Sequence, residues 1–245
     1  MATAMKATPV APASGRLPRG SLDRQAIVDA AMAVVAKCGA DGLTVPEVAR
    51  RLGVGRTAVS WHFPRRGDLL RAASESAIWQ FNELFPEPTA ILWQEQVREY
   101  WTRYRAILRG SKVLLELLAV RWAFSARSPE VRRQHYRRID GQLRVLMEAG
   151  LSPEQAARGY HTLSTYTRGC LLNERSAEQE LDGEQLPAMS ELAHLPSLER
   201  AAPYWNVSFA TNDDFDAGLD MIIDGLSPAV AGCQLRGTPS RSKPS

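Results

Sequence analysis

Cysteine is scarce in this chain. Cys38, Cys170 and Cys233 are its three cysteines, they stand far apart, and none belongs to a CxxC pair. That excludes a disulfide framework and a cysteine-based zinc site, and it fits a reducing, cytoplasmic compartment. Long apolar runs are missing as well, since charges break every hydrophobic stretch short of the roughly 20 residues that a membrane-spanning helix needs. The first 20 residues hold Lys6, Arg16 and Arg19 among Ala, Pro and Gly but no apolar run, and read as a disordered arm and not a signal peptide. Histidine is thinly spread at positions 62, 135, 161 and 194, and no Gly-x-Ser-x-Gly, P-loop or Rossmann fingerprint occurs. A helical enzyme with the front segment as mere scaffold is therefore the weaker reading. No enzyme activity, metal or cofactor is expected.

What is present is apolar residue at helical spacing. With 245 residues, 44% apolar and 23% charged, the chain can build one sizeable core, or a small domain joined to a larger one. Charge is uneven along it. Residues 1–75 carry eleven Lys/Arg against six Asp/Glu, a net of +5, and the remainder a net of −2. Within residues 177–224, Arg200 is the only Lys or Arg. A basic front and an acidic rear fit a front that meets a polyanion.

The pattern predicts an all-α chain. Ser21 is placed to cap a first helix carrying Ile27, Ala30, Ala31, Val34 and Val35, which Gly39 ends. Thr44-Val45-Pro46-Glu47 has the form of a capping box with proline in the first turn. A short second helix stops at Gly53, a third runs from about Arg56 to His62, and a fourth carries Asp68-Leu69-Leu70 on to about Asn82. Further helices are expected near 92–109, 112–126, 129–149, 153–175 and 213–226, with an acidic loop over 176–211. The expected organisation is a disordered arm (1–20), a helix-turn-helix domain (21–80), a helical ligand-binding and dimerisation domain (81–230) and a disordered tail (231–245).

Two short helices joined at Gly53-Val54-Gly55 make a helix-turn-helix. Ala49 is small where the second helix approaches, Gly53 suits a left-handed turn, and Val59 is the apolar peg of the following helix. If that helix enters a major groove, Arg56 can pair with guanine and Thr57 can meet a thymine methyl or a phosphate. Thr44, Ala58, Ser60, Trp61 and His62 complete the expected DNA contacts, and Arg65 and Arg66 are placed to hold phosphate. A plain helical hairpin with core aromatics is the bland alternative.

Residues 22–80 resemble the DNA-binding domain of the TetR family of bacterial transcription regulators. The resemblance lies in Gly42-Leu43-Thr44, Val48-Ala49-Arg50-Arg51-Leu52-Gly53-Val54, Trp61-His62-Phe63 and Asp68-Leu69-Leu70. Ser60 departs from it, because the family usually places Tyr before the aromatic-His pair. More faintly, Trp93-Gln94, Gly169-Cys170-Leu171-Leu172 and Phe215–Leu226 resemble the tetracycline-repressor type of C-terminal domain. The resemblance implies a ligand-responsive regulator, most simply a repressor, that binds a near-palindromic DNA operator as a homodimer. An activator or a ligand-independent DNA-binding protein is the alternative. It also implies a dimer interface on the helix before the acidic loop and on the last helix, at Leu163, Cys170, Phe215, Leu219, Ile222 and Leu226. A stripe of that period serves equally as an intrachain core. Asn82 stands where those relatives place a histidine for the magnesium–tetracycline complex, so that site is not preserved. The expected effector is instead small, largely apolar or aromatic, and lined by Asn82, Phe85, Tyr100, Tyr104, Trp122, His161 and Tyr166.

Overall fold

The computed structural model describes residues 22–85, 90–120, 128–180, 195–201 and 211–236, and within them every regular element is helical. The expected arm, Ser21, Trp122 and the last nine residues lie outside the described residues. The chain divides into two compact units, Met1–Ala73 and Ser74–Ser245, with the division inside the fourth helix.

The front unit holds α1 (Arg24–Cys38), α2 (Val45–Leu52), α3 (Arg56–His62) and the start of α4 (Arg66–Glu83). Helix α1 begins behind Asp23, whose side chain makes no capping bond, and buries Ile27, Ala31, Val34 and Val35. Thr44 caps α2, its Oγ1 accepting from the Glu47 N–H at 3.3 Å. Only that half of the capping box forms, because the Glu47 carboxylate turns to Arg50 Nε at 2.9 Å. At the other end Gly53 sits at φ 66°, ψ 28°. That left-handed turn sends the Val54 N–H back to the Ala49 carbonyl at 3.1 Å and the Gly53 N–H to Arg50 at 3.3 Å, a Schellman closure. Leu43, Val48, Val59, Phe63 and Leu69 are fully buried around this turn.

The rear unit contains the rest of α4, then α5 (Trp93–Arg109), α6 (Lys112–Leu114) with a π-helical continuation over Leu115–Val120, α7 (Pro129–Glu148), α8 (Pro153–Glu180), α9 (Pro196–Ala201) and α10 (Asn212–Arg236). Helix α8 overruns the expected end at 175 because Glu-Arg-Ser-Ala-Glu-Gln-Glu (174–180) is made mostly of good helix formers. Helix α10 likewise continues into the expected tail, as far as Arg236. Its core joins Val97, Tyr100 and Trp101 of α5 to Leu146 of α7, Leu163 of α8, and Phe215, Leu219 and Ile223 of α10.

Two glycines let α8 and α10 lie close. A Cβ on Gly159 would stand 3.1 Å from Leu226 Cδ2, and one on Gly218 would stand 2.1 Å from the Tyr166 hydroxyl. That hydroxyl donates toward the Asp214 and Phe215 carbonyls, 3.1 and 3.0 Å away. Across the other end of the two helices, Arg105 of α5 donates from Nε to Glu174 Oε1 at 2.7 Å and from Nη1 to Asn212 Oδ1 at 2.9 Å. Its guanidinium also rests 4.6 Å over the Phe215 ring. Both members of the Arg105–Glu174 pair are buried, which makes it costly to break from one side only.

Candidate nucleic-acid interface and effector cavity

Helix α3 has one apolar anchor of its own, Val59, and Phe63 just past its end; both are fully buried. That anchoring turns Arg56, Thr57, Ala58 and Trp61 outward, with Ser60 and His62 at the margin. Trp61 is 81% exposed, which decides against a core role. It meets only the edge of the His62 ring, 4.8 Å between centroids. Thr44 and Arg65 are exposed beside this helix's neighbours in sequence. An exposed face of this chemistry, on a short helix held rigidly from behind, is suited to a groove of DNA.

Arg66 is placed differently from expectation. Its Nε donates to the Leu43 carbonyl at 2.8 Å and its Nη2 to the Ala40 carbonyl at 2.7 Å. The guanidinium thus clamps the α1–α2 loop to the start of α4, a positioning task that the sequence reading did not assign to it, while its side chain stays 42% exposed. Arg24 performs a matching task that sequence reading missed. From α1 it donates to the His62 carbonyl at 3.4 Å and covers the Phe63 ring at 4.3 Å, so α1 holds the end of α3. Nothing local in the sequence marks either arginine, because their partners are 38 and 23 residues away.

The rear unit contains a cavity of ≈ 510 Å³ between α4, α5 and α7. Asn82, Phe85 and Tyr100 line it as expected. Of the other expected lining residues, the three that are described lie elsewhere. Tyr104 packs into the aromatic core, 5.3 Å from Phe81 and 5.4 Å from Trp101. His161 is exposed on α8. Tyr166 is stacked on Phe215 at 5.6 Å and bonded to α10. Helical position gave these residues an apolar or aromatic character but not a direction. The cavity's remaining walls are polar: Gln96, Glu99 and Arg103 from α5, and Gln134, Arg137, Arg138 and Arg144 from α7 among them. Beside the aromatic wall of Phe85 and Tyr100, the cavity thus carries a group of charged and amide side chains that the sequence reading did not include. Asn82 is oriented by donating from Nδ2 to Gln134 Oε1 at 2.7 Å. Burial holds the Arg138 guanidinium below its ordinary pKa, with Tyr100 acting in the opposite sense, and burial raises Tyr100 above the ordinary tyrosine value.

The expected dimer stripe is corrected at Leu163, Phe215 and Leu219, while Cys170, Ile222 and Leu226 stay partly exposed. Leu163, Phe215 and Leu219 are buried inside the chain, and Cys170, Ile222 and Leu226 pack against that same core. Periodicity identified the apolar face of α10 correctly as a face, but α5 and α8 of the same chain already cover it. The outward face of α8 carries Thr162, Thr165, Leu172 and Asn173, and that of α10 carries Ala217, Met221 and Asp224. Among the described residues no group of three His, Cys, Asp or Glu side chains stands together as a metal site, and no helix is long and apolar enough to cross a membrane.

A rigid helix-turn-helix unit joined to a helical unit with a ligand-sized cavity defines the class of a one-component transcription regulator. The comparisons with known proteins give its family. Residues 27–73 match the family described as bacterial regulatory proteins, tetR family, and residues 85–230 match the tetracyclin repressor-like C-terminal domain. The chain belongs to the TetR family; it is a ligand-responsive DNA-binding regulator and not an enzyme. It is 30% identical to the class A tetracycline repressor of Escherichia coli, over 84% of this chain and 91% of that protein. A helix-turn-helix transcriptional repressor of Mycobacterium tuberculosis is 28% identical over 85% of this chain and 82% of its own length. Among solved structures, apo ActR from Streptomyces coelicolor superposes with a TM-score of 0.61 at 26% identity, covering 85% of this chain and 96% of that one. The same protein in complex with (S)-DNPA gives 0.58.

Proposed function

We propose that this chain is a cytoplasmic repressor that binds a near-palindromic operator as a homodimer and leaves it when a small effector fills the α4–α5–α7 cavity. The observation that carries the DNA part is the outward face of α3, where Arg56, Thr57, Ala58 and Trp61 stand free while Val59 and Phe63 hold the helix from behind. Arg56 reads guanine, Thr57 and Ala58 meet base edges or methyl groups, and Thr44, Ser60, His62 and Arg65 position phosphates. No cofactor is required. Residues 22–73 serve as the DNA-binding module and residues 74–230 as the sensing and dimerisation module.

The dimer forms through the outward faces of α8 and α10, around Thr165, Leu172 and Met221, and not through the buried stripe. Two recognition helices about 34–36 Å apart then meet successive major grooves. The tetracycline repressors and ligand-bound ActR support a sensing role for the rear domain. Helix α4 carries Arg66 in its first turn and Asn82 in its last, so a ligand that displaces Asn82 acts on the helix that also anchors the α1–α2 loop. A near-complete switch needs about 5.5 kcal/mol of differential ligand affinity between the two states.

The test is capture of sheared host genomic DNA on the purified protein at about physiological salt, followed by sequencing. Enrichment of a few fragments sharing a near-palindrome is the expected result. Uniform retention of all fragments would remove the base-reading roles given to Arg56 and Thr57.

A further inference from the structure

We propose that the effector is an anionic aromatic molecule, a planar ring system bearing a carboxylate that pairs with Arg138. This rests on reading the α4–α5–α7 cavity as the effector site. Among the described lining residues, Arg103, Arg137, Arg138 and Arg144 stand against a single carboxylate, Glu99. Arg144 has a counter-ion in Glu148 at 3.4 Å. Arg103, Arg137 and Arg138 form no ion pair with any described residue. Glu99 takes part in contacts of its own, one of them accepting the Ala90 N–H at 3.4 Å.

Arg138 is the telling member. It is half-buried on α7, with its guanidinium 4.1 Å over Phe85 and 4.9 Å over Phe81. Aromatic faces compensate a desolvated cation only in part, and a half-buried charge without a counter-ion costs stability. The rest of this molecule handles its buried cation otherwise: Arg105 is matched by Glu174 at 2.7 Å. At Arg138 the matching charge is left for a ligand to bring. A guanidinium fork suits a carboxylate, which it can bind through two parallel hydrogen bonds.

The ring preference comes from the same wall. Phe85 and Tyr100 stand 4.8 Å apart with 39° between their planes, and offer aromatic surface beside Arg138. Asn82, Gln96 and Gln134 add amide donors and acceptors for ring hydroxyl or carbonyl groups. At ≈ 510 Å³ the cavity is of the size that holds a small molecule. A cationic ligand would face three guanidiniums that no described carboxylate pairs, and is disfavoured.

The test compares 2-naphthoate with its neutral near-isostere 2-naphthamide, each titrated calorimetrically into the full chain at neutral pH. Naphthoate is expected to bind once per chain and at least about tenfold tighter than the amide. Arg138→Gln should remove most of that preference while leaving the amide's affinity within about twofold, and Arg138→Lys should restore part of it. Should Arg138→Gln fail to fold, the exposed double change Arg103→Gln/Arg137→Gln must still narrow the preference. Equal binding of acid and amide, or an Arg138→Gln loss shared equally by both, overturns the inference and leaves the cavity as a binding site. Binding of neither compound overturns both the inference and the reading of the cavity.

Discussion

Arg24 reaches from α1 to the end of α3, where it donates to the His62 carbonyl at 3.4 Å and sits over the Phe63 ring at 4.3 Å. The recognition helix is short, so the stacking of one arginine on the aromatic just beyond it helps fix its direction. Arg24→Ala is expected to cost about 1 kcal/mol, a lowering of Tm by about 2–4 °C. Operator affinity should fall several-fold with base preference unchanged, measured by fluorescence anisotropy on operator and mutated operator. An altered base preference would give Arg24 a direct reading role instead.

Arg65 and Arg66 are adjacent but should fail in different ways. Arg66→Ala removes the side-chain donor to the Leu43 carbonyl and one of the donors to the Ala40 carbonyl, which keeps the Leu43 N–H at 3.2 Å, and is expected to cost about 1–3 kcal/mol of stability in urea unfolding. Arg65→Ala should leave unfolding unchanged and reduce the salt slope of DNA binding by about one. Arg56→Ala should cost about 1–3 kcal/mol on the operator and little on unrelated DNA. Matching profiles for the Arg65 and Arg66 variants would contradict this division.

Gly218→Ala drives a methyl group to 2.1 Å from the Tyr166 hydroxyl. A loss of about 1–3 kcal/mol is expected, as for other overpacked sites. The cost should shrink in the Tyr166→Ala background, giving a coupling of at least about 0.5 kcal/mol in a double-mutant cycle. Strict additivity would mean that α10 shifts freely to make room.

Glu174→Gln removes the charge opposite Arg105, whose guanidinium is also held by Asn212 at 2.9 Å. Loss of one partner of a buried pair is expected to cost about 3–5 kcal/mol, and Arg105→Met/Glu174→Leu should be closer to wild type than Glu174→Gln alone. Thermal unfolding of the three proteins provides the comparison.

Leu172→Glu places a charge on the outward face of α8, where Leu172 is 39% exposed. Sedimentation should show a folded monomer with weakened operator binding. A dimer unaffected by Leu172→Glu and by Met221→Glu would move the interface elsewhere.

The helix-turn-helix could be read from the sequence because its signals are local. Thr44 caps three residues ahead, and Gly53 closes α2 against carbonyls of the preceding turn. Val59 and Phe63 then orient the face of α3. The rear domain was harder to read for a physical reason. Periodicity shows that Phe215, Leu219 and Leu226 share a face, yet not whether α8 of the same chain or of another covers it. Tyr104 and Tyr166 were recognisable as half-polar aromatics, but their partners are set by tertiary packing. Arg103 of α5 and Arg137 and Arg138 of α7 carry no local signal of a site, and only the packing of α4, α5 and α7 makes them walls of one cavity.

The close crossing of α8 and α10, with Gly159 and Gly218 as its two contact points, involves none of the residues that line the cavity. On the proposed function, effector binding therefore draws on residues separate from those that hold α8 and α10 together. On that proposal, substitutions among the arginines and amides of α5 and α7 change which effector is accepted without touching the contacts that set α8 against α10.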